Sequence, residues 1–149
     1  MIGPKVPAPS PREERLAYEL VELRDEGVCQ KCRRGLPINR HHRKDRSLGG
    51  LTVVENLMLL CGSGVTGCHG YVTSHPDDAC REGWAVPGWA VPADYPARRW
   101  IRTTVGTMRL AQVLLLPADR WADGPGWVEV GLMEAATRRA GLWTGGLGG

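Results

Sequence analysis

Four cysteines and four histidines are the residues of this chain best suited to chemistry. Cys29 and Cys32 form a Cys-x2-Cys pair, and Cys61 and Cys68 form a second pair after a gap of 28 residues. Four thiolates so grouped suit a tetrahedral structural zinc, which accepts sulfur ligands without redox chemistry. Glycines 62, 64 and 67 are expected to let the six-residue loop between the second pair fold tightly enough for both sulfurs to face one ion. A fifth cysteine, Cys80, is left over. Around this frame stand adjacent histidines at 41 and 42, an asparagine at 56, and histidines at 69 and 75, giving the order His, Asn, His. Imidazole titrates near neutrality, so such residues can move protons or hold a cation.

Each feature also has a plainer reading. A Cys-x2-Cys pair can be a thioredoxin-like redox couple, but that needs a βαβ context and leaves Cys61 and Cys68 unexplained. A zinc knuckle of purely structural role accounts for the cysteines and says nothing of the histidines. Between Val28 and Gly50 seven basic residues stand against one acidic residue, Asp45, although the whole chain carries only +3. Such a patch attracts a polyanion, or it is an ordinary solvated loop.

The string His41-His42-Arg43, then Gly49-Gly50, then Glu55-Asn56-Leu57-Met58-Leu59-Leu60-Cys61, then Cys68-His69-Gly70 and Ser74-His75-Pro76 resembles HNH endonucleases, particularly the small ones encoded by bacteriophages. The resemblance implies a ββα-metal core and metal-dependent hydrolysis of DNA phosphodiester bonds. It makes His42 the general base and has Asn56 fix the hairpin loop that holds His42. It makes His41 and His69 ligands of a catalytic divalent cation (Mg2+, Mn2+ or Ni2+), so that His69 belongs to the catalytic set with His42 and Asn56. His75 is an additional candidate ligand or phosphate contact. Arg33, Arg34, Arg40, Arg43, Lys44 and Arg46 are expected to track DNA phosphates, with Arg98, Arg99 and Arg102 as further candidates. Two departures bear on these roles. Many relatives have aspartate where His41 stands, and two residues between the later cysteines where this chain has six. In a regular strand, moreover, residues 41 and 42 point to opposite faces, so both address one phosphate only if the arm ends or bends there.

The elements that must position these residues can be outlined. Ser10, Pro11 and Glu13 fit the N-cap, first-turn and capping-box positions of a helix expected to run to about Glu26, with Leu16, Ala17, Leu20, Val21 and Leu23 on its apolar side and Gly27 just past its end. From Val28 to Leu60 short segments separated by turn residues predict a hairpin-like unit. A short helix over roughly His69 to His75 is closed by Pro76. The repeated Gly-Trp-Ala-Val-Pro at 83–87 and 88–92 reads as two turns, Thr103 to Leu116 as one or two strands, and Glu129 to Arg139 as helical. Tryptophans 84, 89 and 100 could stack on unpaired bases, but aromatics among prolines read better as fillers of a small satellite core.

At 149 residues the chain suits one core, and twenty glycines with no phenylalanine suggest that the core leans on a metal. The expected organisation is α+β: a loose N-terminal segment (1–9), a zinc-stapled HNH domain (10–79), a small mixed C-terminal extension packed on or beside the core (80–144) and a disordered glycine-rich tail (145–149). No stretch is long enough to span a bilayer and no leader is evident, which predicts a cytoplasmic protein with unpaired cysteines. If the chain is phage-encoded, as the resemblance implies, the location is the host cytoplasm. The expected partners are DNA and a terminase or other DNA-processing protein. The competing reading is a zinc module that binds nucleic acid or a protein without cutting.

Overall fold

A computed structural model describes residues 7–144; the sequence expectations for residues 1–6 and 145–149 lie outside the described residues. Ser10 opens helix α1 (Pro11–Arg24) through a capping box: its hydroxyl accepts from the Glu13 N–H, and the Glu13 carboxylate accepts from the Ser10 N–H. The helix ends two residues earlier than expected because Asp25 is drawn inward. Its carboxylate accepts from Arg24 Nε at 2.8 Å and from the Leu59 N–H at 3.0 Å, and it pairs with Arg99 at 3.1 Å. The buried face of α1 is Ala17, Val21 and Arg24; Leu16 and Leu23 are exposed, so the apolar stripe is narrower than the sequence predicts.

Strands β1 (Ile38–His42) and β2 (Leu57–Cys61) pair antiparallel from Ile38 opposite Cys61 to His42 opposite Leu57. Every residue of β2 is buried because both of its faces are covered. Leu57 and Leu59 pack against α1, whereas Met58 and Leu60 join a larger cluster with Val72, Ala79, Trp84, Ala97 and Val113. Helix α2 (Gly67–Ser74) follows after a loop of residues 62–66 and lies against β2. Pro76 does not merely close that helix. It occupies the first turn of α3 (Pro76–Glu82), where proline's missing N–H costs nothing.

A second sheet has the order β3 (Ala97–Arg102), β4 (Met108–Leu115), β5 (Trp127–Val130), all antiparallel, followed by α4 (Leu132–Arg139). Of the span predicted as strand, 103–107 is the turn between β3 and β4, and residues 129 and 130 end β5 rather than begin a helix. The whole is α+β, with four helices and two small sheets among the described residues. The larger buried cluster draws Cys29, Met58 and Leu60 together with Ala97, Ala111 and Leu115. The chain beyond residue 79 is therefore packed on the hairpin through shared apolar contacts. No helix among the described residues is long and apolar enough to cross a membrane.

Candidate metal centre and adjoining histidines

The turn segment before β1, the end of β2 and the first turn of α2 bring Cys29, Cys32, Cys61 and Cys68 together, with all four sulfurs within 4.8 Å of one another. Cys32 Sγ and Cys61 Sγ are 3.7 Å apart. That is far from a disulfide bond of about 2.05 Å. It matches the sulfur–sulfur edge of about 3.8 Å that four Zn–S bonds of about 2.3 Å impose on a tetrahedron. Backbone N–H groups point at the sulfurs: those of Arg34 and Gly35 toward Cys32 (3.4 and 3.3 Å), that of Cys68 toward Cys61 (3.4 Å) and that of Cys32 toward Cys29 (3.5 Å). A Cβ at Gly35 would stand 2.2 Å from Cys61 Sγ, so only glycine admits the sulfurs so close to the chain. Burial pushes the Cys32 thiol up, but the Arg34 and Gly35 N–H groups and neighbouring sulfurs bring it down to about 6. Burial pushes the Cys61 thiol up against the Cys68 N–H and thiol, which lower it, and pushes Cys68 up together with the three thiols around it. Four sulfurs gathered at this spacing in a cradle of N–H groups fit a metal ion.

The loop between Cys61 and Cys68 is closed by Ser63 and Thr66, whose hydroxyls lie 2.9 Å apart. Gly62 and Gly67 have positive φ (95° and 63°), and a Cβ at Gly62 would meet Thr66 O at 2.0 Å. Gly64 has open space around it, so two of the three predicted glycines are required there and the third is not.

β1 keeps its pairing to β2 through residues 41 and 42, where the strand ends, and the two histidines take opposite faces. His41, opposite Met58, shares the face covered by α2; His42, opposite Leu57, shares the face covered by α1. His41 is buried and meets His69 edge to face, with ring centroids 5.1 Å apart. Its Nε2 lies 2.7 Å from the Trp84 carbonyl, which can only accept, so the proton sits on Nε2 and Nδ1 carries the lone pair. Burial lowers the His41 pKa to about 4 against the opposing Trp84 carbonyl, so the ring is neutral at pH 7. His69, in the first turn of α2, has a buried Nδ1 with no hydrogen-bond partner.

His42 is half-buried and places Nε2 2.9 Å from Thr52 Oγ1. Burial and then Arg46 lower its pKa, against Glu14 and Asp45. It is not gathered with His41 and His69. His75 is exposed and stacks on Tyr71 at 4.1 Å, with Nδ1 2.9 Å from Ser74 Oγ. Asn56 is buried and staples the loop after β1: Oδ1 accepts from the Lys44 N–H (2.7 Å), and Nδ2 donates to the Lys44 and Leu51 carbonyls (3.0 and 2.9 Å).

The predicted phosphate contacts divide. Arg34, Arg40 and Arg46 are exposed and Arg33 is half-buried. Arg40 lies 3.6 Å from Glu22, and Arg46 reaches Tyr18 Oη at 3.3 Å. Lys44 donates to the Ala90 carbonyl at 3.0 Å. Arg43 must be withdrawn from the set: it is 2% exposed, and its guanidinium donates to the Gly83, Glu55, Pro92 and Tyr95 carbonyls, out of reach of any phosphate. Arg98, Arg99 and Arg102 pair with Glu82, Asp25 and Glu26. Lys31, one of the seven basic residues of the 28–50 stretch but not among the expected phosphate contacts, lies 4.7 Å from the Tyr71 ring and 4.8 Å from the Trp84 ring. The Trp84 carbonyl and Thr52 carry no sequence signal: a backbone acceptor leaves no mark on side-chain spacing, and a lone threonine gives no motif. Trp84 is buried, Trp100 is half-buried and donates to the Lys31 carbonyl, and Trp89 is exposed.

Comparison with protein-family models, curated proteins and solved structures returned no match for the chain.

Proposed function

We propose that the chain is a metal-dependent endonuclease of HNH type that hydrolyses DNA phosphodiester bonds, with zinc on the four cysteines as its structural staple. The observation that carries this reading is the His41 and His69 pair. Two imidazoles from a strand and a helix, one with its tautomer fixed by a carbonyl and the other with a buried unpartnered Nδ1, form half of a cation site beside the cysteine cluster. A backbone carbonyl on the far nitrogen is the usual support for a metal-ligating histidine. A divalent cation held there would offset charge developing on the phosphate. His42 takes the proton of the attacking water. The Thr52 hydroxyl can accept or donate; in the tautomer that directs Nε2–H at Thr52, Nδ1 keeps a lone pair, and the lowered pKa favours the neutral ring. Because β1 ends at His42, the substrate phosphate must cross the strand end to meet residues of both faces. Asn56 holds the chain just past that end, and exposed Arg34, Arg40 and Arg46 supply sequence-blind attraction. Genome packaging or DNA processing beside a terminase is the setting that the phage resemblance suggests.

One observation favours the alternative of a zinc module that binds nucleic acid without cutting it: His42 faces away from the His41 and His69 pair. The two readings differ in metal stoichiometry. Zinc-loaded protein titrated with Co2+ or Ni2+ should take up a second ion with imidazole signatures, and His69→Ala should abolish that uptake while the cysteine-bound ion stays. Failure of the wild type to bind a second ion would favour the binding module.

A further inference from the structure

A cavity of about 380 Å3 opens between the C-terminal end of α1, the Cys29 to Cys32 loop and the β3-β4-β5 sheet, on residues that neither the zinc cluster nor the histidines use. Its size falls within the range of small-ligand pockets. Three half-buried tryptophans, Trp100, Trp121 and Trp127, line it, and so do Arg33, Arg99 and Arg102. Trp100 and Trp121 have their indole N–H groups bound to the Lys31 and Leu116 carbonyls, which fixes the rings in place.

The charges do not cancel there. Arg102 is paired with Glu26 at the rim, and Asp25, behind the wall, is shared by Arg24 and Arg99. Arg33 makes no side-chain hydrogen bond or ion pair among the described residues, and its backbone is left-handed with φ 68°. Arg99 is 4% exposed, yet its Nε and Nη1 have no partner, while Nη2 serves Gln30 and Asp25. A buried guanidinium is among the groups that native proteins rarely leave with idle donors. Those two nitrogens of Arg99 lie beneath the surface, out of reach of a molecule in the cavity. An anion that enters meets Arg33, whose donors are free, in a surround where two buried arginines share one carboxylate, and the fixed indoles offer a planar ring a stacking surface.

We propose that this cavity binds a nucleotide, with the base against the tryptophans and the phosphate on Arg33. A strand end and a free mononucleotide share that chemistry. The inference stands on the cavity's own residues and does not need the His41 and His69 centre to cut.

The test is titration of 15N-labelled, zinc-loaded protein without any other divalent cation, following the six indole N–H resonances. Deoxyadenosine 5′-monophosphate, deoxyadenosine, inorganic phosphate and a 5′-phosphorylated single-stranded oligonucleotide are the probes. The monophosphate should shift Trp100, Trp121 and Trp127 and leave Trp84, Trp89 and Trp143 in place, and should bind more tightly than the nucleoside or phosphate. Arg33→Asn, a residue that tolerates the left-handed backbone, should weaken that binding about tenfold. Tighter binding of the oligonucleotide identifies the ligand as a strand end, and tighter binding of the monophosphate identifies it as a free nucleotide. The proposal is overturned if millimolar monophosphate moves none of the three resonances, if nucleoside or phosphate alone binds equally well, or if folded Arg33→Asn binds as wild type does. Omitting a catalytic cation keeps the result independent of whether the chain is a nuclease.

Discussion

Replacing Asn56 by alanine removes one side chain that makes three hydrogen bonds across the end of the hairpin: one from the Lys44 N–H and two to the Lys44 and Leu51 carbonyls. Asn56 is fully buried, so water does not take its place without rearrangement. At a net value of roughly 1 kcal/mol per bond, with an added penalty for groups left unsatisfied, the variant should lose about 2–4 kcal/mol. A domain of this size has about 5–15 kcal/mol in hand, so the variant should still fold. Its melting temperature should fall by roughly 6–12 °C. The assay is thermal and urea unfolding of wild type and Asn56→Ala, both zinc-loaded and matched for metal content. The same change frees the segment after His42, so cleavage should fall more than stability at a temperature where both proteins are folded. A drop below about 2 °C, less than a single hydrogen bond would give, refutes the clamp and the positioning role built on it.

Other outcomes follow from the same contacts. Metal analysis should find one zinc per chain; chelation should unfold the protein, since structural zinc contributes on the order of 10 kcal/mol in small modules, and Gly35→Ala should lower zinc retention because its Cβ would collide with Cys61 Sγ. Asp25 has its pKa lowered, with burial pushing it up and Arg24 and Arg99 outweighing burial. The stabilisation is therefore complete above the unfolded value of about 3.9 and is lost as pH falls through the lower folded value. Asp25→Asn should cost about 3–5 kcal/mol near pH 7, by leaving two buried arginines unpaired, and the gap to wild type in urea unfolding should narrow only in strong acid. Arg43→Ala should destabilise strongly without changing the salt dependence of DNA binding, whereas Arg34→Ala and Arg46→Ala, both exposed, should each lower the salt slope by about 1 with little effect on stability.

What the sequence makes legible is local. The capping box at Ser10 and Glu13 and the paired cysteine spacing each specify their structure through neighbouring residues, and both are found where the pattern puts them. The period-two rule also separates His41 from His42 on sequence alone. Strand β3 was hidden because its inward positions are Ala97, Arg99 and Ile101, and an arginine on the buried face breaks the apolar alternation. Helix α3 was hidden because a proline that ends one helix can also start the next. Arg43 read as a phosphate contact because formal charge does not reveal burial; its partners are main-chain carbonyls from segments up to 52 residues away. The Trp84 carbonyl that fixes His41 is illegible for the same reason. Tertiary contacts made through the backbone carry no sequence signature.

Nicking of supercoiled plasmid bears most directly on the nuclease reading. Zinc-loaded protein, dialysed against EDTA under conditions that retain the cysteine-bound metal, is assayed with added Mg2+, Mn2+ or Ni2+ beside His41→Ala, His42→Ala and His69→Ala, with zinc content matched. The wild type should cut only when a cation is added, and all three variants should lose cleavage while still shifting DNA in a gel. Wild-type protein that binds DNA yet leaves the plasmid intact under every cation would contradict the nuclease and leave a zinc-dependent binding module in its place.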